Sequence, residues 1–294
     1  MSRGARNHVV YVFVSLRSHT SIDDDLVEQA RRELPPPVTR GRGVKTHGRW
    51  FAPGKNTAAV TSGRDDRTDR VNEIVKEAGC PFVPLTAAAD VELKIAAEMR
   101  DTGITDATVV INNVPCQGQA SCDDLLGVVL PDGQHVDGSR DGRVHEGVSG
   151  RQAVVTFDGW FDPGQREPLA VSTSAEVDEL LDRMVAEAES PEVEVGLVAQ
   201  LDRRDENGWS ILQFGVRAAD TMCGFVGYAS KGETSVISTS GATSPEPVAY
   251  DYQSHEREVP SNAEISWSSV RQVVHDYVSS AGARPARVTW LEVG

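Results

Sequence analysis

Disulfide chemistry has little to work with in these 294 residues. The four cysteines, Cys80, Cys116, Cys122 and Cys223, are too few and too unevenly spaced for the cystine framework of a small secreted domain, although one local pair stays compatible with the pattern. A reducing compartment, the cytoplasm, is the expectation. Long apolar runs are missing too. VVYVFVSL (9–16) follows Arg3 and Arg6 as the core of a leader would, but no small-residue cleavage site precedes Asp23 to Asp25. It predicts a strand, and no run reaches the length of a membrane span. No internal repeat links the halves, and residues 151–293 hold no glycine-rich phosphate loop and no strand-to-helix elbow around the serines of GETSVISTSGATS (232–244) that would expose a nucleophile.

Positive charge is the last shortage: 29 basic residues face 44 acidic ones, a net charge of -15. The imbalance is local. Residues 1–150 carry about -3 and residues 151–294 about -12, while residues 1–80 alone come to about +4, with the basic side chains dense in TRGRGVKTHGR (39–49). Two domains of opposite electrostatic preference are expected, at 1–145 and 151–294, with the Gly, Asp and Ser-rich DGQHVDGSRDGRVHEGVSG (132–150) as linker or edge. A 39% hydrophobic content supplies ordinary cores for both.

In the first half, the spacing predicts a helix over 21–34 with Ser21 as N-cap, stopped by Pro35 to Pro37. A hairpin follows from 49–53 and 57–62, then a helix over 66–78, a loop at Pro81 and Pro84, and a helix over 88–100 ended by Gly103. A buried strand at 106–112, a short helix at 121–130 and a closing strand at 134–138 complete a three-layer α/β arrangement. In the second half, a strand at 153–157, an acidic amphipathic helix at 174–189 and a strand meander through VEVGLVAQL, SILQFGV and FVGYAS are predicted. A helix at 266–282 capped by Ser266 and a last strand at 286–293 finish it, giving an α+β domain with a mostly antiparallel sheet.

Two features of the first half carry chemistry. Asp90 and Glu92 lie two apart at a helix start, and Cys116 and Cys122 follow, Cys116 just beyond a strand end and Cys122 at a helix N-terminus, where the dipole and free amides favour a thiolate. Catalytic zinc takes three protein ligands and leaves one position for water. Two buried free cysteines are the plainer reading of the same pair. His47, near Trp50 and Phe51, is read either as a contact to a base or phosphate or as a surface residue beside a hairpin. Asn112 and Asn113 either bind substrate or turn the chain. Arg40, Arg42, Lys45 and Arg49 form either a phosphate-facing patch or a solvated face.

These residues resemble a known pattern. Zinc nucleobase deaminases use H-x-E on one helix and P-C-x-x-C at the start of the next, the Glu moving protons without ligating. Over residues 39–139, KTHGRWF, TSGRDD, DVELKIAAEMRDTGI, ATVVINN, PCQGQASC and LPDGQHV look like the bacterial polymorphic-toxin deaminases that include the double-stranded-DNA cytosine deaminases. Five residues between the cysteines also occur in that family; the departure is Asp90 in the His position. The resemblance implies a cytidine-deaminase-like fold, Glu92 as catalytic acid and base, and Asp90, Cys116 and Cys122 as ligands of zinc. It also implies substrate contacts from His47, Trp50, Asn112 and Asn113, and nucleic acid as a partner if the domain is active. Three anionic ligands would make the metal a poorer Lewis acid than two thiolates and an imidazole do.

No chemical motif marks the second half. Its acids, Glu176, Asp178, Glu179, Asp182, Glu187 and Glu189 on one helix and Asp202, Asp205 and Glu206 in a loop, are either a solvated face or a surface for a basic partner. PLAVSTSAEVDELLDRMVAEA, FVGYASKGETSV and EVPSNAEISWSSVRQVVHDYVSSAGARPARVTWLEV resemble the first-numbered immunity-protein family of polymorphic toxin systems. That implies binding of a deaminase toxin, in cis or in trans. The joint expectation is a toxin-immunity fusion whose deaminase half is degenerate or silenced. Alternatives are an active zinc deaminase inhibited in cis, and a metal-free structural module.

Overall fold

The computed structural model describes residues 10–15, 24–80, 85–130, 155–205, 208–242 and 246–293. The first half runs β1 (Val10–Ser15), α1 (Asp24–Glu33), β2 (His47–Phe51), β3 (Ala58–Thr61), α2 (Asp66–Glu77), α3 (Val91–Thr102), β4 (Asp106–Ile111) and α4 (Cys122–Val129). Its sheet has the order β1-β4-β2-β3 with every pairing antiparallel. Side chains alternate across it. Phe51 and Val110 pack under Val27 and Ala30 of α1, while Trp50, Ala107, Val109 and Ile111 join α2, α3 and α4 on the other face. The three layers are those the sequence predicts.

One close approach sets the position of α3. A Cβ at Gly48 would meet Val91 Cγ1 at 2.5 Å, so a glycine in β2 lets the start of α3 lie directly on the strand. The helix begins at Val91, later than the predicted 88, because Ala87–Ala89 form a 3-10 turn and Asp90 takes the N-cap position. Gly103, at φ 70°, ends it in the left-handed conformation. The Ser21 cap, the Pro81 to Pro84 loop and the closing strand at 134–138 lie outside the described residues.

The second half contains β5 (Phe157–Trp160), β6 (Leu169–Val171), α5 (Ser174–Ala188), β7 (Gly196–Asp205), β8 (Gly208–Val216), β9 (Cys223–Gly224), β10 (Val226–Ser230) and β11 (Val236–Ser238). It continues with β12 (Pro247–Tyr252), β13 (His255–Pro260), β14 (Ile265–Ser266), α6 (Trp267–Ser279) and β15 (Trp290–Glu292). A nine-stranded sheet ordered β13-β12-β7-β8-β10-β11-β15, with β5 joined to β7 and β6 to β5, is antiparallel except where β12 meets β7. The strand predicted at 153–157 runs from Phe157, and Asp202 and Asp205 lie within β7 rather than in a loop after it. No helix among the described residues is long and apolar enough to cross a membrane.

Period two along β7 fixes how the halves meet. Leu197, Ala199 and Leu201 face α5 and α6, whose Leu181, Met184, Val270 and Tyr277 complete that core. Val198 instead joins the core of the first half, together with Trp160, Phe225, Tyr250, Tyr252 and Val259. One of the two cores is thus shared by the halves, with α5 and α6 on the far side of the second half's sheet.

Candidate active site

The ends of three elements of the first half converge. Asp90 precedes α3, Cys116 lies in the loop after β4, and Cys122 opens α4, which Ser121 caps by accepting from Asp124 N at 3.4 Å. Their ligand-type atoms all lie within 4.8 Å of one another, and all three side chains are buried. Cys122 Sγ lies 3.0 Å from Asp90 Oδ2 and 3.6 Å from Cys116 Sγ. The backbone N–H of Cys122 donates to Cys116 Sγ at 3.3 Å. The hydrogen bond from Cys122 lowers the Cys116 pKa and raises that of Cys122 well above the thiol value, so one thiol leans toward thiolate and the other keeps its proton.

Glu92 stands at the second position of α3 and is 2% exposed. Neither of its oxygens has a hydrogen-bond partner in another of the described residues, and burial raises its pKa. A buried, unpartnered carboxyl beside a thiol pair is what a general acid and base needs before substrate arrives. So the sequence-predicted cluster is assembled.

What fills it comes from the second half. Arg257 of β13 donates Nη1 to Asp90 Oδ1 at 2.7 Å and Nη2 to Oδ2 at 2.9 Å, a fork on both oxygens, with Nη2 also 3.8 Å from Cys116 Sγ. His255 donates Nε2–H to Val114 O at 2.7 Å and sets Nδ1 3.6 Å from Asp90 Oδ1. Burial works to raise the Asp90 pKa, and the Arg257 and His255 charges outweigh it, holding the carboxylate well below its usual range. Burial alone would depress the His255 pKa; Asp90 reverses that and leaves it raised to about 10. An Asp at an N-cap ordinarily accepts from its own helix. Asp90 makes no such bond, because both oxygens serve Arg257.

The turn between β12 and β13 clamps the cysteine loop. Gln253 and Ser254 are its two residues, at φ 54° and 70°, the left-handed pair that a tight hairpin demands and that usually goes to Asn-Gly. The strain is held by contacts. Gln253 Oε1 accepts from Gln117 N at 2.7 Å, Tyr252 OH donates to Gln117 O at 2.7 Å, and Ser254 O accepts from Asn113 Nδ2 at 2.9 Å. Asp202 and Gln200 of β7 hold Gln119, two residues beyond Gln117, accepting from Gln119 N at 2.8 Å and donating to Gln119 O at 3.0 Å respectively.

The remaining sequence candidates have other surroundings. Trp50 is 3% exposed within the core of the first half. His47 is half-buried in β2, its Nδ1 3.3 Å from Thr61 Oγ1. Asn112 accepts from His47 N at 2.7 Å and donates to Pro36 O at 2.9 Å, tying strand to loop, while Asn113 links Thr46 Oγ1 to the hairpin. Of the basic cluster, Arg40 meets Glu187 at 2.8 Å and Arg42 meets Glu194 at 2.9 Å, both across the domain boundary, as does Lys45 with Glu256 at 3.9 Å. Arg49 pairs instead with Glu33 of its own half at 3.4 Å. Among the helix acids, Glu176 caps α5, and Asp178 and Asp182 hold Arg271 of α6.

Residues 247–260 carry no element in the sequence reading, so His255 and Arg257 are new to the site. Their signal was the alternation of HEREVP, in which His255, Arg257 and Val259 share the buried face and Glu256 and Glu258 the other. A buried arginine next to a buried histidine has no reading until the facing carboxylate is known.

Comparison with curated proteins gives no match. Two family models do match, and they tile the chain: residues 21–153 match SCP1.201-like deaminase, and residues 165–292 match Immunity protein Imm1. The chain is a deaminase-like domain of the SCP1.201-like family joined to an Imm1 immunity-protein domain.

Proposed function

We propose that this toxin-immunity fusion keeps its nucleic-acid cytosine deaminase domain silent in cis, the β12–β13 hairpin of the immunity domain filling the catalytic site. The observation that carries this is the Arg257 fork on Asp90, inside the cluster that Glu92, Cys116 and Cys122 complete. The electrostatics support it. Arg40, Arg42, Lys45 and Arg64, the side chains a polyanion would meet, are paired with Glu187, Glu194, Glu256 and Glu258, so acids of the immunity domain stand in for phosphates.

Deaminases of this kind use zinc, which supplies an activated water. The Asp90–Cys116–Cys122 donors are close enough to hold an ion, but a set whose carboxylate is already forked by a guanidinium does not fit one while the hairpin is docked. What the chain's own residues do is exclude substrate, with Glu92 buried near the Asp90–Arg257 pair and its pKa raised by burial.

The test is cytosine deamination by the full chain on single- and double-stranded DNA supplied with zinc. The unaltered protein is expected to form no uracil, and Asp90→His combined with Arg257→Met is expected to form it. Uracil from the unaltered chain would overturn the reading. A second reading, an intact enzyme merely inhibited in cis, is favoured by the retained and unpartnered Glu92. Uracil from Arg257→Met with Asp90 in place would select it.

A further inference from the structure

We propose that the docked hairpin and a divalent metal ion compete for one position, the guanidinium of Arg257 standing as the resident cation of the Asp90–Cys116–Cys122 cluster. This rests on the occluded-site reading above but makes a separate claim, that docking controls metal loading and not only substrate access.

Three observations carry it. First, the guanidinium lies against two of the three donors, forked on Asp90 at 2.7 and 2.9 Å and 3.8 Å from Cys116 Sγ, so an ion held by the same atoms would sit at contact distance from a fixed positive charge. Second, Asp90 suits Arg257 better than a histidine would. A carboxylate accepts two parallel N–H bonds from the guanidinium fork, whereas a neutral imidazole offers one acceptor and an imidazolium none. The aspartate in the ligand position and the arginine in the hairpin thus form a matched pair, and each explains the other.

Third, Arg257 borders open space. A groove of about 260 Å³ between the domains has Gly63, Arg64, Asn72, Glu256, Arg257 and Glu258 among its lining residues. Glu256 and Glu258 flank Arg257 in sequence, lie on the more exposed face of β13 and pair with Lys45 and Arg64, so the acids beside the groove are themselves balanced. A metal arriving there meets donors whose charge is already neutralised. It binds only if Arg257 leaves, and the hairpin loses its anchor when Arg257 does.

The experiment is zinc loading of the full chain, with zinc per chain measured after removal of the unbound ion and counted only where Cys122→Ser abolishes it. Hydrogen exchange of residues 252–257 is followed in the same samples. The unaltered chain is expected to retain less than about 0.1 zinc per chain at micromolar zinc. Arg257→Met and Asp90→His are each expected to retain about one, a gain of tenfold or more. At higher zinc the unaltered chain is expected to load only as exchange in the hairpin rises.

One zinc per chain in the unaltered protein, with hairpin exchange unchanged, would overturn the competition; because that needs no variant, it does not depend on how either substitution folds. Absence of zinc from every form would overturn it too. In both cases the absence of uracil from the unaltered chain would still support occlusion, so the two claims fail separately.

Discussion

The contact between the two domains has a centre and a rim built from the same chemistry, and the two differ in nearly everything else. At the centre, Arg257 and Asp90 have side chains 5% and 2% exposed. At the rim, Arg42 and Glu194 are 43% and 55% exposed, and Arg64 and Glu258 are 65% and 37%. Exposed pairs are worth about 0–1 kcal/mol each and fade with salt. A buried pair gains little net stability over apolar residues of its shape, yet losing one partner strands a charge at a cost of about 3–5 kcal/mol. On the proposed reading, the rim steers the domains together and the centre determines what sits in the site.

The centre gives the largest expected effect. In metal-free buffer, Arg257→Met leaves the Asp90 carboxylate buried without its fork, and denaturant unfolding is expected to show a loss of about 3–5 kcal/mol. Adding Asp90→Leu to that change removes the stranded charge, and the double variant is expected to recover to within about 1–2 kcal/mol of the original. A single-variant loss of less than about 1 kcal/mol would erase the distinction between centre and rim.

Between the two lies Asp202, buried under the cysteine loop with Gln119 N and Gln200 Nε2 as donors. Burial pushes its pKa up to about 7, against hydrogen bonds that lower it. An acid raised on folding keeps its proton in the native state while the unfolded chain gives it up near 3.9, so the folded form is favoured below that pH and the advantage is lost as pH rises through 7. Unfolding free energy is expected to fall by about 2–4 kcal/mol from this group between pH 4 and pH 8. Asp202→Asn should flatten that slope, and an unchanged slope would show that the loop contact does not carry it.

How much of this was legible depended on whether the signal was local. The alternation of helix and strand in the first half and the Ser266 cap of α6 are written in neighbouring residues and emerge as read. Asp90, Cys116 and Cys122 were recoverable because a family pattern preserves their spacing, though not their contacts. The partner of Asp90 lies 167 residues away, and no periodicity links the two. Arg257 looked like one more charge in HEREVP because a guanidinium is normally solvated. Trp50 shows the converse: an aromatic beside a basic loop invites stacking on a base, and the register of β2 with β4 turns it into the core instead. Charge asymmetry between the halves was legible, but it left binding in cis or in trans open; the structure sets the basic loop at 39–49 against acids of the second domain.

The smallest expected effect tests what holds the rim. Beside the Arg42–Glu194 pair, Glu194 N donates to Gly41 O at 2.7 Å and Gly41 N donates to Asp251 Oδ2 at 2.8 Å, so the backbone already fixes this edge. Arg42→Ala removes a solvated charge and leaves those bonds intact; a loss of at most about 0.5 kcal/mol is expected, vanishing in molar salt. Gly41 is at φ 75°, and a Cβ there would meet Val193 Cγ2 at 2.9 Å. Gly41→Ala is accordingly expected to cost about 1–2 kcal/mol at any salt concentration, from backbone strain and the displaced valine together. If the arginine proved the costlier of the two, charge and not backbone would define the rim, and its difference from the centre would be one of degree only.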